Sequence, residues 1–154
     1  MKNAKGYVII AIVIFLILSS TLFIISNSLL NFESSHRLSG IIFKFLFSDT
    51  AAKDGADDFL LRKAAHLIEY ALLGSGVMCM VAFCKKKYNK NIFVYSFGYV
   101  VAVAALDEYI QSRSDRNGTV SDVILDLVGA VIGIAFTCGI IWLVKYLKAK
   151  KTGG

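Results

Sequence analysis

Three short stretches carry the side chains capable of chemistry in a chain that is otherwise mostly apolar. In RKAAHLIEYALLG, residues 62–74, Lys63, His66 and Tyr70 are spaced i, i+3 and i+7, with Glu69 beside Tyr70. On a helix this spacing gathers a cation, an imidazole and a phenol on one face with a carboxylate next to them. In DEYIQ, residues 107–111, Asp107 and Gln111 are four apart, and Glu108 and Gln111 three apart. In SDVILDLVGAVIG, residues 121–133, Asp122 and Asp126 are four apart, and the stripe continues through Gly129 and Gly133. An imidazole among carboxylates can move protons or ligate a metal, which makes His66, Glu69, Asp107 and Glu108 the candidates for acid–base work. Arg113 and Arg116 follow closely, and a guanidinium can fork onto a phosphate or carboxylate.

The elements that must position these groups are membrane spans. Hydrophobic residues make up 56% of the 154, and the mean hydropathy is +0.65. Four apolar runs, at about 7–25, 64–83, 92–110 and 120–144, carry between none and two acids each. About 20 apolar residues at 1.5 Å each cross a hydrocarbon core of about 30 Å, so every run is long enough to span. The first run is too long for the core of a secretory signal, and Ser26-Asn27-Ser28-Leu29 is a poor cleavage site, so it reads as a span. With no proline in the chain, no proline kinks are expected.

Charge sets the expected orientation. Of the 17 basic residues, ten lysines (2, 5, 85, 86, 87, 90, 145, 148, 150 and 151) fall at one set of span ends, and seven residues, including all four arginines, fall at the other. All eleven acids lie in the second set of loops or within spans. The positive-inside rule then puts both termini in the cytoplasm and residues 26–62 and 111–119 outside. The lysines are topology determinants, so a pI near 9.3 does not call for nucleic acid.

Within the first outer segment, LSGIIFKFLF, residues 38–47, has the spacing of a short interfacial helix. The polar DTAAKDGADD that follows reads as a loop leading to an N-cap at Asp57 or Asp58. Cys79, Cys84 and Cys138 lie in or at the inner ends of spans with no C-x-x-C pair, and read as small apolar packing residues.

Fixing the topology puts the polar groups of three spans at one depth, in the outer third. An acid at the bilayer centre costs about 2.5–3.5 kcal/mol on insertion scales, so such groups face an interior or a wet cavity. Glu69, Asp107, Glu108 and Asp126 are therefore expected to line a polar pocket open to the outside, with His66, Lys63, Arg113 and Arg116 as available partners. Structural alternatives stand beside this reading. Asp122 could complete a capping box with Thr119. Gly129 and Gly133 form a G-x-x-x-G packing motif. Tyr70 could be an interfacial aromatic, and His66 with Glu69 a structural pair.

RKAAHLIEYALLG, DEYIQ, an external arginine and SDVILDLVGAVIG together resemble the VanZ family of small bacterial membrane proteins, associated with reduced susceptibility to teicoplanin-type glycopeptide antibiotics. The resemblance covers about residues 20–140. It implies an all-α four-helix transmembrane bundle over residues 1–154, with an interfacial segment in the first outer loop. The polar motif positions fall on Lys63, His66, Glu69, Tyr70, Asp107, Glu108, Gln111, Arg116, Asp122 and Asp126, and Ser34, Ser35 and Ser39 resemble the serines after the family's first span. Two departures stand out. The loop before Arg116 is one residue short with Asp115 where glycine is usual, and Asp126 replaces the commoner asparagine.

The resemblance brings no reaction with it. A bacterial cell-membrane protein that binds an anionic envelope lipid or a lipid-linked wall precursor in the polar pocket is the leading expectation, with the glycopeptide itself as a further ligand. An intramembrane hydrolase or transferase and a structural partner protein are the alternatives. Asp107-Glu108 with Arg113 resembles the E-E-x-x-x-R element of CAAX-type proteases, but the spacing is one residue too long and that family's histidine motifs are missing. Neither G-x-S-x-G nor H-E-x-x-H occurs, so the linear sequence calls for no metal and no cofactor. The oligomeric state is left open.

Overall fold

The computed structural model describes residues 2–29, 55–113 and 120–152, all in four helices and their links: α1 (Lys2–Leu29), α2 (Gly55–Tyr88), α3 (Phe93–Arg113) and α4 (Val120–Thr152). The interfacial segment 38–47, the serines at 34, 35 and 39, and Arg116 lie outside the described residues. Each helix contains a stretch long and apolar enough to cross a membrane. Helices satisfy all their backbone hydrogen bonds internally, which is what a spanning segment in lipid requires.

The helices overrun the apolar runs that announce them. α1 continues through Ser26, Asn27 and Ser28 to Leu29. α2 begins at Gly55, so Asp57 and Asp58 fall inside its first turn and neither is the N-cap. The link between α2 and α3 shows its chemistry plainly. Asn89 takes a left-handed conformation (φ 55°) just past the end of α2, as helix-terminating asparagines do. Asn91 Oδ1 then accepts the Phe93 N–H at 3.0 Å and caps α3. Lys85, Lys86 and Lys87 occupy the last turn of α2, where cations favour the helix dipole.

The bundle is an up-and-down arrangement in which α2 and α3 each touch every other helix, and α2 with α4 makes the most extensive contact. At the lysine-rich end, Lys87 Nζ lies 4.0 Å from the centre of the Tyr7 ring, which ties the start of α1 to the end of α2. α2 and α4 run parallel and meet backbone to backbone. A Cβ added at Gly129 would lie 2.6 Å from the Leu67 carbonyl oxygen, and one at Gly133 or Gly74 would run into the carbonyl of Ala71 or Ala130. This is the small-residue packing by which membrane helices associate where lipid removes the hydrophobic drive. Ser75 Oγ adds a hydrogen bond to the Gly133 carbonyl at 3.1 Å.

The core is small: Ile24 from α1, Tyr70, Leu73 and Val77 from α2, Val100, Val103 and Ala104 from α3, and Ala130 from α4. Large apolar side chains such as Phe15, Leu22, Phe23, Val94, Phe136 and Trp142 cover the perimeter instead. Cys79 and Cys138 are also on the perimeter and only Cys84 is half-buried, which corrects their reading as packing residues.

Candidate functional site

At the end of the bundle opposite the lysines, polar side chains from all four helices converge. They come from the last turn of α1, from about two to four turns into α2, and from within two turns of the ends of α3 and α4, and the i, i+3, i+4 spacings decide which of them point inward. Asp107 of α3 is the centre. It is fully buried, and its Oδ1 accepts hydrogen bonds from Ser28 Oγ of α1 and from Gln111 Nε2 at 2.9 Å. Its Oδ2 accepts from the Tyr70 hydroxyl of α2 at 3.1 Å. Tyr70 is itself fully buried, so it is a core residue and not an interfacial aromatic. Gln111, one turn from Asp107 and three residues from Glu108, gives its hydrogen bond to Asp107.

His66 stands between two carboxylates. Its Nδ1 is 3.6 Å from Asp107 Oδ2 and 3.6 Å from Asp126 Oδ1 on α4. Asp126 is buried, and its Oδ1 takes no hydrogen bond among the described residues. Glu69 faces the bundle too. Its Oε1 accepts from Asn27 Nδ2 of α1 at 2.7 Å, while Oε2 is buried without a hydrogen-bond partner among the described residues. Both oxygens of Glu108 are screened in the same way.

One turn nearer the helix ends, Lys63 Nζ pairs with Asp122 Oδ1 at 3.1 Å. That contact accounts for Asp122 by a partner on α2, whereas Thr119, its expected capping partner, lies outside the described residues. Side-chain exposure falls along a path from this pair inward: 35% for Lys63 and 32% for Asp122, 21% for His66, 3% for Asp126 and none for Asp107. The expected open pocket is thus a packed polar core, reached through the Lys63, Asp122 and His66 corner. Arg113 takes no part in it. It is exposed and lies along its own helix, with its guanidinium on the Tyr109 hydroxyl at 3.1 Å.

Sequence reading missed two members of the cluster, Asn27 and Ser28, because Ser26-Asn27-Ser28 looks like the start of a loop. A signal was present: Ile17, Thr21, Ile24 and Ser28 follow a 4-3-4 spacing, which is one helical stripe, and its last two members are buried.

A second feature lies about 10 Å further along α1, seven residues from Ser28 at 1.5 Å each. There Thr21 Oγ1 and the Tyr99 hydroxyl share a hydrogen bond at 2.8 Å. Below it an apolar groove of about 330 Å³ runs between α1, α2 and α3, lined by Ile17, Leu18, Val77, Met80, Ser96 and Tyr99 among others.

Four apolar helices of spanning length, enclosing polar groups from all four and charged groups from the last three, define a multi-pass membrane protein with a polar site within the bundle. The VanZ/LLP1 family model matches residues 6–144, and the chain belongs to that family. No curated protein and no solved structure matches it.

Proposed function

We propose that this envelope membrane protein recognises an anionic lipid or lipid-linked wall precursor, with the tail in the α1, α2 and α3 groove and the headgroup at the Lys63 and His66 corner. The observation that carries this reading is the groove itself. It is apolar, it opens onto the perimeter beside the highly exposed Tyr95, and it sits at mid-depth in α1, below the polar cluster. In a bilayer the occupant of such a groove is an acyl or isoprenoid chain, and the partner of a polar corner one leaflet depth away is that chain's headgroup. Arg116, which falls between α3 and α4 in the sequence, would supply the further cation for a phosphate. Sequestering such a lipid would change what a teicoplanin-type antibiotic meets at the cell surface.

The test is lipid capture. The protein is purified in membrane-derived nanodiscs and its bound lipid is identified by mass spectrometry, beside Ser96→Trp, which fills the groove. Loss of an anionic lipid in the variant, together with loss of the teicoplanin phenotype at matched expression, is the expected result. Equal lipid occupancy in both proteins refutes the reading.

One observation favours a second reading, an intramembrane hydrolase or transferase. His66 Nδ1 sits equidistant from two carboxylates, as a proton-transfer group would. Turnover of a purified lipid phosphate by the protein, abolished in His66→Gln, would establish it.

A further inference from the structure

We propose that His66, Asp107 and Asp126 form a binding site for one divalent cation of the zinc or manganese class. Their three ligand atoms, from α2, α3 and α4, all lie within 4.8 Å of one another. The two distances from His66 Nδ1, 3.6 Å each, are too long for hydrogen bonds and close to the edge of a coordination polyhedron. With metal–ligand bonds of about 2.1 Å, neighbouring ligands of a tetrahedral ion stand about 3.4 Å apart.

A direct ion pair accounts for the arrangement less well. Nδ1 carries at most one hydrogen and can direct it at one carboxylate, whereas here two stand at the same distance. Asp126 Oδ1 is the telling atom. It is buried, faces Nδ1, and accepts no hydrogen bond among the described residues, although a carboxylate left so inside a membrane is costly. A cation would satisfy it. Asp107, by contrast, is held by Ser28, Tyr70 and Gln111, the kind of outer support that fixes a ligating carboxylate in place. Glu69 and Glu108 add two further carboxylates at this depth, and Glu69 Oε2 and both Glu108 oxygens are buried and accept no hydrogen bond among the described residues. A divalent charge offsets this excess of acid more fully than one imidazolium can.

One imidazole nitrogen and two carboxylate oxygens are the donor set that zinc and manganese accept, and three protein ligands leave at least one position open. The Lys63 and Asp122 pair stands one turn from His66 and Asp126 on the same two helices. The site stands on its own geometry, while the role we assign to the ion, bridging the acid cluster to a headgroup phosphate, rests on the lipid reading above. It removes the difficulty that an anionic headgroup would otherwise meet a cluster of carboxylates.

The test uses the full chain in detergent with no added lipid, so that it stands or falls independently of lipid capture. The protein is stripped with a chelator and dialysed against micromolar Zn²⁺ or Mn²⁺ alone. Bound metal is counted by elemental mass spectrometry, and pulsed electron paramagnetic resonance of the Mn²⁺ form reports its ligands. The expected result is one ion per chain with a nitrogen coupling from a single imidazole. His66→Gln and Asp126→Asn should each weaken binding more than tenfold. The wild-type measurement decides the question even if those variants fold poorly. Less than stoichiometric metal in the wild type, or a bound ion without the imidazole nitrogen, overturns the site. Should the ion bind while lipid capture is the same with and without it, the bridging role falls and the metal site remains.

Discussion

Tyr70→Phe removes one oxygen and nothing else from the centre of the bundle, and the structure sets the size of the effect. The hydroxyl is buried and donates to Asp107 Oδ2 at 3.1 Å. Hydrogen bonds between membrane helices average about 0.6 kcal/mol and reach about 1.7 at most in measured cases. A hydrogen bond to a charged group lies higher, at about 1.5–3 kcal/mol. Asp107 keeps Ser28 and Gln111 when Tyr70 is lost, so its carboxylate is not stranded and the upper end of that range does not apply. The expected loss is about 1–2 kcal/mol, a factor of about 5–30 in the unfolding equilibrium. It is read from the midpoint of unfolding in mixed SDS and dodecylmaltoside micelles, followed by far-ultraviolet ellipticity. Tyr109→Phe is the control, because Tyr109 is exposed on the same helix as Asp107 and bonds only at the surface. Indistinguishable midpoints for the two variants would refute the placing of Asp107 at the hub of a buried polar network.

Three further outcomes follow from the same structure and sequence. Gly133→Ala drives a Cβ into the Ala71 carbonyl and should destabilise the bundle by about 1–3 kcal/mol, the usual cost of overpacking, whereas Gly139→Ala meets nothing within 4 Å and should be neutral; equal midpoints would contradict the parallel α2 and α4 contact. In a background lacking the three native cysteines, Ser114→Cys should react with an impermeant thiol reagent in intact cells and Asn89→Cys should not, since the lysine ends are expected to be cytoplasmic; the reverse pattern would invert the topology. Arg116→Lys should lose the teicoplanin phenotype nearly as completely as Arg116→Ala at matched expression, because an ammonium cannot reproduce a forked contact with a phosphate; a fully active lysine variant would leave Arg116 as a simple counter-ion.

The spans were legible because length and apolarity decide them locally. Runs of 19–25 residues with few charges have no other economical fate in a bilayer. Their ends were less legible, since polar residues normally mark a loop. Asn27 and Ser28 continue α1 because Glu69 and Asp107, 42 and 79 residues away, receive their hydrogen bonds. Contacts at such separations leave no local trace beyond the 4-3-4 stripe. The shared depth of the acids was legible for the same reason as the spans, being a count of residues from the end of each apolar run. What each helix shows to its neighbours was not. Asp107 and Glu108 are adjacent and chemically alike, yet they point about 100° apart on a helix of 3.6 residues per turn. Only the packing of α3 decides that Asp107 takes the central place and that Gln111 serves it.

That packing also joins two features that the sequence offers as alternatives. G-x-x-x-G at 129 and 133 reads either as a helix contact or as part of a site. Gly129 meets the backbone of Leu67, the residue after His66, and itself lies three residues after Asp126. The approach of the two backbones at that point is what brings His66 and Asp126 within 3.6 Å. A side chain at 129 would push α2 from α4 at the level where imidazole and carboxylate face each other. The small residues therefore serve the site by serving the packing. Their spacing from Asp126 matters as much as their size, because a contact one turn further along would leave the same helices joined and the same acid without its histidine.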